Sequence, residues 1–274
     1  MLLLSAPFDP GAAAAARRPR AALLAVAGLA GLLVTGGAAW EVFGRGPAGL
    51  GRAVALGAAH AGLIALGWVL TTGPAPDGWA PLLRFSVAMI LASAVARLVP
   101  WGPLAFVLLP VLLAVDAAGH PQLRALGLTR CRIGQAGLGL VAGLFLGAHL
   151  LVTASLTFGY HVARTGAHAY VSALAYDAGA NVLSAEWLFR GAVFSALWRR
   201  VGFWPAALAS TALALVRYLV DPALPHAPEV RAGAIFYLGL VGLTACALRA
   251  WSGSLLPGYL AGLGFFGAYR LLTP

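Results

Sequence analysis

The sequence predicts an all-α polytopic membrane protein of roughly eight to nine transmembrane helices. Three observations predict it. Hydrophobic residues make up 61% of the 274 residues and charged residues only 9%, against about 25% in soluble domains. Mean hydropathy over the chain is +0.88. Apolar runs of roughly 17–25 residues, the length that crosses a hydrocarbon core, recur from one end of the chain to the other.

Residues 1–20 read as a short N-terminal lead on the cytoplasmic side, ending in Arg17, Arg18 and Arg20. The run at about 21–39 follows as a first transmembrane helix. Its Arg-rich flank and the small residues Ala38 and Ala39 also fit a signal peptide, but further runs follow at once. These fall at about 53–72, 81–97, 101–118, 135–158, 180–198, 204–220, 232–250 and 254–272. Pro100 and Pro103 separate the third run from the fourth, and Pro110 is placed to kink the fourth. The segment from Tyr160 to Asp177 mixes His161, Arg164, His168, Tyr170 and Tyr176 with apolar residues. It reads as an interfacial amphipathic helix or a loop; if it spans, every later orientation flips. With no internal repeat and no low-complexity linker, one membrane domain over residues 1–274 is the simplest organisation.

The net charge is +10, and all 18 basic residues are Arg. They are dispersed, mostly at the ends of apolar runs, where positive charge sets topology; no nucleic-acid partner is expected. With the N-terminus inside, the Arg residues at 17, 18, 20, 124, 130, 132, 199, 200 and 249 fall on the cytoplasmic side. Those at 45, 52, 97, 164, 231 and 270 fall opposite, and Arg84, Arg190 and Arg217 remain as intramembrane candidates. The Ala, Gly, Leu and Arg richness reads as the codon usage of a GC-rich bacterium, so the expected location is the bacterial inner membrane, multi-pass. Cys131 and Cys246 are far apart and lack a CxxC partner, against a disulfide framework or zinc site. His161 and His168 are weak as a metal pair, and no metal or other cofactor is expected. His60 and His149 read as hydrogen-bonded core residues. The glycines read as small residues that let membrane helices pack.

The stretch Ser184-Ala185-Glu186-Trp187-Leu188-Phe189-Arg190-Gly191 sets a carboxylate and a guanidinium four residues apart, on one helical face. In a bilayer such groups are costly unless paired or functional. The plain reading is a structural ion pair that fixes two helices. The stretch also resembles the Glu-Glu-x-x-x-Arg-Gly motif of the CPBP superfamily, which holds the CAAX prenyl endopeptidases and the bacterial bacteriocin-processing and immunity proteins. The resemblance covers about residues 177–270 and implies a glutamic-type intramembrane peptidase core. The family's second motif, Phe-x-x-x-His, falls on Leu213 and Arg217. Its third, His-x-x-x-Asn, follows a helix start similar to Gly253-Ser254-Leu255-Leu256-Pro257 and falls on Gly262 and Phe266.

In the family, the first Glu activates water with the first His, and the second His with the Asn holds the oxyanion. The resemblance implies those roles for positions 185, 217, 262 and 266, which here are Ala185, Arg217, Gly262 and Phe266. Glu186 and Arg190 survive as the candidate catalytic residues. A permanently protonated Arg217 cannot take a proton. Gly262 and Phe266 offer no side-chain donor, and losing one oxyanion donor costs a factor of about 10²–10³. Glu186 points about 100° around the helix from position 185. The sequence therefore reads as a catalytically degenerate homologue that binds or helps process a membrane-anchored protein substrate. Glu186, Arg190 and Arg217 are expected to cluster where the active site was. The expected partners are the lipid bilayer and either a membrane-anchored substrate or an active paralogue. The alternatives are an active intramembrane endopeptidase using Glu186, or an unrelated polytopic transporter or scaffold subunit.

Overall fold

A computed structural model describes residues 20–44, 46–72, 79–118, 126–162, 166–220 and 227–273. The N-terminal lead before Arg20, together with Arg45, Arg124 and Arg164, lies outside the described residues. In chain order the elements are α1 (Arg20–Phe43), α2 (Leu50–Thr72), α3 (Trp79–Leu98), a 3-10 turn (Gly102–Val107), α4 (Leu108–Ala118), α5 (Ile133–Phe158) and β1 (His161–Val162). Then come α6 (Ala167–Tyr176), a π-helical turn (Asp177–Asn181), α7 (Val182–Ala185), a second π-helical segment (Glu186–Phe194) and α8 (Ser195–Val201). The chain closes with α9 (Phe203–Leu219), α10 (Pro228–Ser252), α11 (Leu256–Tyr269) and β2 (Leu272–Thr273). Among the described residues, α1, α2, α3, α5 and α10 are long and apolar enough to cross a membrane. The chain is a multi-pass, all-α membrane protein; its strands are a two-residue antiparallel clip in which His161 faces Thr273.

Three expectations change. The run at 101–118 is not one spanning helix. Its proline-led first third winds as the 3-10 turn, with proline in the first positions where no N–H is needed, and only Leu108–Ala118 is α-helical. The helix expected from about 180 starts earlier, at Ala167, inside the segment at 160–177. Gly159, at φ 70°, stops α5, and helix resumes at Ala167 and carries Tyr176 and Asp177 directly into the motif. The motif helix thus begins well before residue 180. Arg249 is not a solvated topology marker, because it is only 2% exposed.

The described residues form two compact units. One takes in α1–α4 with Gly166–Leu188; the other takes in Leu126–Thr165 with Phe189–Pro274. In the first unit, α1, α2 and α3 approach through small residues. A Cβ on Gly37 would lie 2.7 Å from Gly51 O, and one on Gly57 would lie 2.6 Å from Ser93 Oγ. Arg84 finds its counter-charge on α4: its Nη2 donates to Asp116 Oδ1 at 2.7 Å. Arg97 Nε donates to Ala48 O at 2.8 Å, tying α3 to the turn before α2.

In the second unit, α5 lies directly on α11. The α5 glycines at 139, 143 and 147 recur every four residues and so share a face. A Cβ on Gly139 would meet Pro257 C at 2.7 Å, and one on Gly147 would meet Ala268 Cβ at 2.5 Å. The Leu126–Thr129 stretch is stitched to the α10–α11 turn. Leu255 N donates to Gly127 O at 2.8 Å, Thr129 Oγ1 to Gly253 O at 2.9 Å, and Ser254 Oγ to Thr129 O at 2.9 Å. The Arg249 guanidinium donates to Gly253 O and packs on Gly127, whose φ of 98° needs glycine. Arg249→Met should therefore loosen this loop without unfolding the helices. Limited trypsin digestion checks it: cleavage at Arg130 and Arg132 should speed up about tenfold, as expected when a local opening loses a charge-assisted hydrogen bond. An unchanged cleavage rate contradicts the assignment.

Candidate functional site

The motif helix is built unusually. Both Asp177–Asn181 and Glu186–Phe194 wind as π-helix, a rare form that gathers at functional sites. Backbone carbonyls in and beside the wide turns take side-chain donors. Ser210 Oγ donates to Phe189 O at 2.7 Å, and Ser195 Oγ donates to Arg190 O at 3.3 Å. Gly191 keeps this wall thin, since a Cβ there would sit 3.2 Å from Leu126 O and 3.3 Å from Leu255 Cδ1.

In the first unit, Ala185 and Glu186 are both buried, at 2% and 5% exposure. The helix before them carries a polar network. His60 of α2 is hydrogen-bonded through Nδ1 to Ser184 Oγ at 2.8 Å and through Nε2 to Tyr176 Oη at 2.8 Å. Asn181 Nδ2 donates to Asp177 Oδ1 at 2.9 Å. Trp187 Nε1 donates to Ile64 O at 2.9 Å, and its ring sits where Gly67 lacks a side chain. His60 is thus a hydrogen-bonded core residue, as its sequence context suggests. His149 is hydrogen-bonded to Tyr237 Oη at 2.7 Å but is exposed, so it is not the core residue its sequence context suggests.

In the second unit, Arg190 is 3% exposed and lies between α9 and α10. A Cβ on Gly242 would stand 2.5 Å from Arg190 Nη2, 2.7 Å from Thr211 Cγ2 and 3.0 Å from Thr211 Oγ1. Leu213 faces outward at 50% exposure. Arg217 is half-buried, with Cζ 4.4 Å from the ring centre of Tyr218. The Tyr218 ring lies 5.8 Å from that of Phe266, which is 7% exposed and also contacts Phe265 and Tyr269. Gly262 is buried on α11. Tyr218, next to the second-motif position Arg217, therefore meets the third-motif position Phe266 through an aromatic contact. The boundary between units falls between Leu188 and Phe189, so Ala185 and Glu186 belong to one unit and Arg190, Leu213, Arg217, Gly262 and Phe266 to the other. His161 lies in β1, and His168 is hydrogen-bonded to Pro100 O at 2.6 Å. Among the described residues, no three His, Cys, Asp or Glu side chains gather to hold a metal ion.

Residues 167–263 match the family model of the type II CAAX prenyl endopeptidase, Rce1-like. This chain carries an Rce1-like segment. No curated protein and no solved structure matches the chain. The Rce1-like segment opens at the start of α6 and ends inside α11, just after Gly262. It overlaps the core expected at about 177–270 and includes Ala185, Glu186, Arg190, Leu213 and Arg217. Phe266 lies just past its end, and His60 and the α5 glycines lie outside it.

Sequence reasoning missed Thr211 and Gly242 as neighbours of Arg190. Thr211 stands in an apolar helix with no motif around it, and Gly242 is one glycine among 35. Ser184 was flanking text to the motif; its bond to His60 spans 124 residues, which no local pattern reveals.

Proposed function

We propose that this CAAX-endopeptidase-like membrane protein binds a membrane-anchored protein segment and does not cleave it. The observation that carries this reading is the pairing of Tyr218, the neighbour of Arg217, with Phe266 at 5.8 Å. It puts an aromatic contact beside Arg217 and on Phe266, the positions where the family resemblance implies a histidine and an asparagine. Arg217 beside it holds its proton and is no base. Gly262 has no side chain to offer an oxyanion. Ala185 cannot activate water. Together these losses remove the base and the donors that acyl transfer requires, each worth orders of magnitude in rate. What remains is a helical core with a buried Arg190, suited to recognising polar backbone within the membrane. A bacterial inner-membrane location and an active paralogue as co-partner fit the same reading.

The test uses the purified full-length chain in nanodiscs with a fluorescent, lipid-anchored protein tail. Binding measured by anisotropy, with the tail recovered at full mass, is the expected outcome. Absence of binding removes the binding half of the reading, and shortened tail removes the other half.

A further inference from the structure

The corner between α8 and α9 sets two arginines beside a group of aromatic rings. The last turn of α8 carries Arg199 and Arg200, both exposed, and Gly202, at φ 82°, turns the chain into α9. Arg199 Nε donates to Ser195 O at 3.1 Å, which spends one of the five N–H groups of its guanidinium. Partial burial and the charge of Arg200 both press the Arg199 pKa downward. An anion set against the two guanidiniums relieves the second of these. No acid does so from the protein side. Glu229 is the one acidic residue among the described residues of this unit, and it sits in the first turn of α10, whereas the last turns of α10 adjoin the corner.

Packing fixes the depth of the corner. Phe194, Ala206 and Ala207 form one buried cluster with Cys246 and Ala250, and Trp198 and Phe203 pack against it. Cys246 and Ala250 lie near the end of α10, a helix long and apolar enough to span. The corner therefore stands at the end of a span, where hydrocarbon gives way to headgroups. Its rings suit that level. Trp198 stacks on Phe194 at 5.3 Å, and Phe203 meets Trp198 at 6.0 Å and Trp204 at 5.2 Å, both edge-on. Trp204 is 66% exposed, and tryptophan gathers at membrane–water interfaces. Beyond it, Leu208, Ala212 and Val216 follow at four-residue intervals and continue one slanting stripe of α9, exposed throughout. Two cations at the head of an exposed apolar stripe match an anion that has a tail.

We propose that the α8–α9 corner binds an anionic phospholipid, with Arg199 and Arg200 on the headgroup phosphate and an acyl chain along Trp204, Leu208 and Val216. Guanidinium offers phosphate paired N–H donors, and each arginine near an anionic surface adds to the attraction. Arg130 and Arg132 are exposed on the same side, since the neighbouring Thr129 bonds Gly253 at the end of α10. They follow a different helix end, so they report whether the whole basic side or this corner holds the lipid.

The experiment titrates the purified full-length chain, in neutral detergent micelles, with phosphatidylglycerol or phosphatidylcholine of the same acyl chains, and reads retained lipid by native mass spectrometry. The wild type should retain phosphatidylglycerol in preference. Arg199→Gln and Arg200→Gln should each weaken that retention about fivefold and the double variant about twenty-fold, the worth of one and two arginines near an anionic surface. Arg200→Lys should keep most of it, and Arg130→Gln with Arg132→Gln should leave it unchanged. Trp204→Ala should weaken both lipids alike. All variants should elute as the wild type on size exclusion. Equal retention of the two lipids by the wild type overturns the proposal, as does a full preference in the double variant. A loss in Arg130→Gln with Arg132→Gln as large as in the double variant makes the effect a diffuse one of the basic side and overturns the corner. Glycerol phosphate, a headgroup without a tail, should not displace the lipid; displacement makes the occupant a soluble anion and overturns the phospholipid.

Discussion

Gly143→Leu is expected to abolish the monodisperse, folded form of the protein in detergent. A Cβ on Gly143 would stand 2.7 Å from Ala261 C and 2.8 Å from Ala261 Cα, and closer still to the carbonyl oxygen. Those are backbone atoms of α11, which cannot rotate away as a side-chain tip can. The contact is reciprocal: a Cβ on Gly264 would meet Leu140 O and Leu144 N at 3.0 Å. Relief therefore means parting the two helices along their whole shared face, including Gly139 and Gly147. Overpacking of an ordinary core costs about 1–3 kcal/mol. Here the cost should be at or above the top of that range, because close backbone approach is itself the source of van der Waals attraction in a membrane. Gly137 is the control, since a Cβ there meets nothing within 4 Å. Thermal unfolding in detergent should show Gly137→Leu near wild type and Gly143→Leu far below it. Equal melting of the two contradicts the close packing of α5 on α11.

The second large effect is expected at His60. Its ring is 2% exposed and joins α2 to the motif helix through Ser184 and Tyr176. His60→Leu removes both bonds and leaves Ser184 Oγ with its longer bond to Asn181 O at 3.3 Å. Hydrogen bonds between membrane helices average about 0.6 kcal/mol and reach about 1.7. A loss of about 2–3 kcal/mol is expected from the two bonds and the altered packing together. A double-mutant cycle with Ser184→Ala separates the bond from the packing. Coupling of about 0.5–1.5 kcal/mol supports the His60–Ser184 bond, and additivity denies it.

The fold class could be read from composition and run length because the bilayer imposes both. α1, α2, α3, α5 and α10 fall close to the apolar runs that predict them. Errors arose where a proline or a wide turn alters winding without altering hydropathy. Pro103 opens a 3-10 turn over Gly102–Val107 of one run, and Asp177 sits inside a helix although it looks like a loop residue. The π-helical winding at Glu186 leaves no sequence mark at all. The resemblance to the Rce1-like family was legible because Glu186, Arg190 and Gly191 keep their spacing, and the matched family model covers the same segment. Position 249 misled for a different reason: an Arg near the end of an apolar run looks like a topology signal, yet this one folds back onto Gly127. Thr211 and Gly242 could not have been found, since only the folded α9 and α10 bring them to Arg190.

The central proposal is that the Rce1-like segment lacks hydrolytic chemistry. The direct measurement incubates the purified full-length chain in proteoliposomes with a membrane-tethered peptide library and reads new termini by mass spectrometry. Wild type and Glu186→Gln are expected to give the same peptide pattern as liposomes without protein. Cleavage by the wild type that Glu186→Gln abolishes would contradict the claim and make Glu186 the base of a working peptidase.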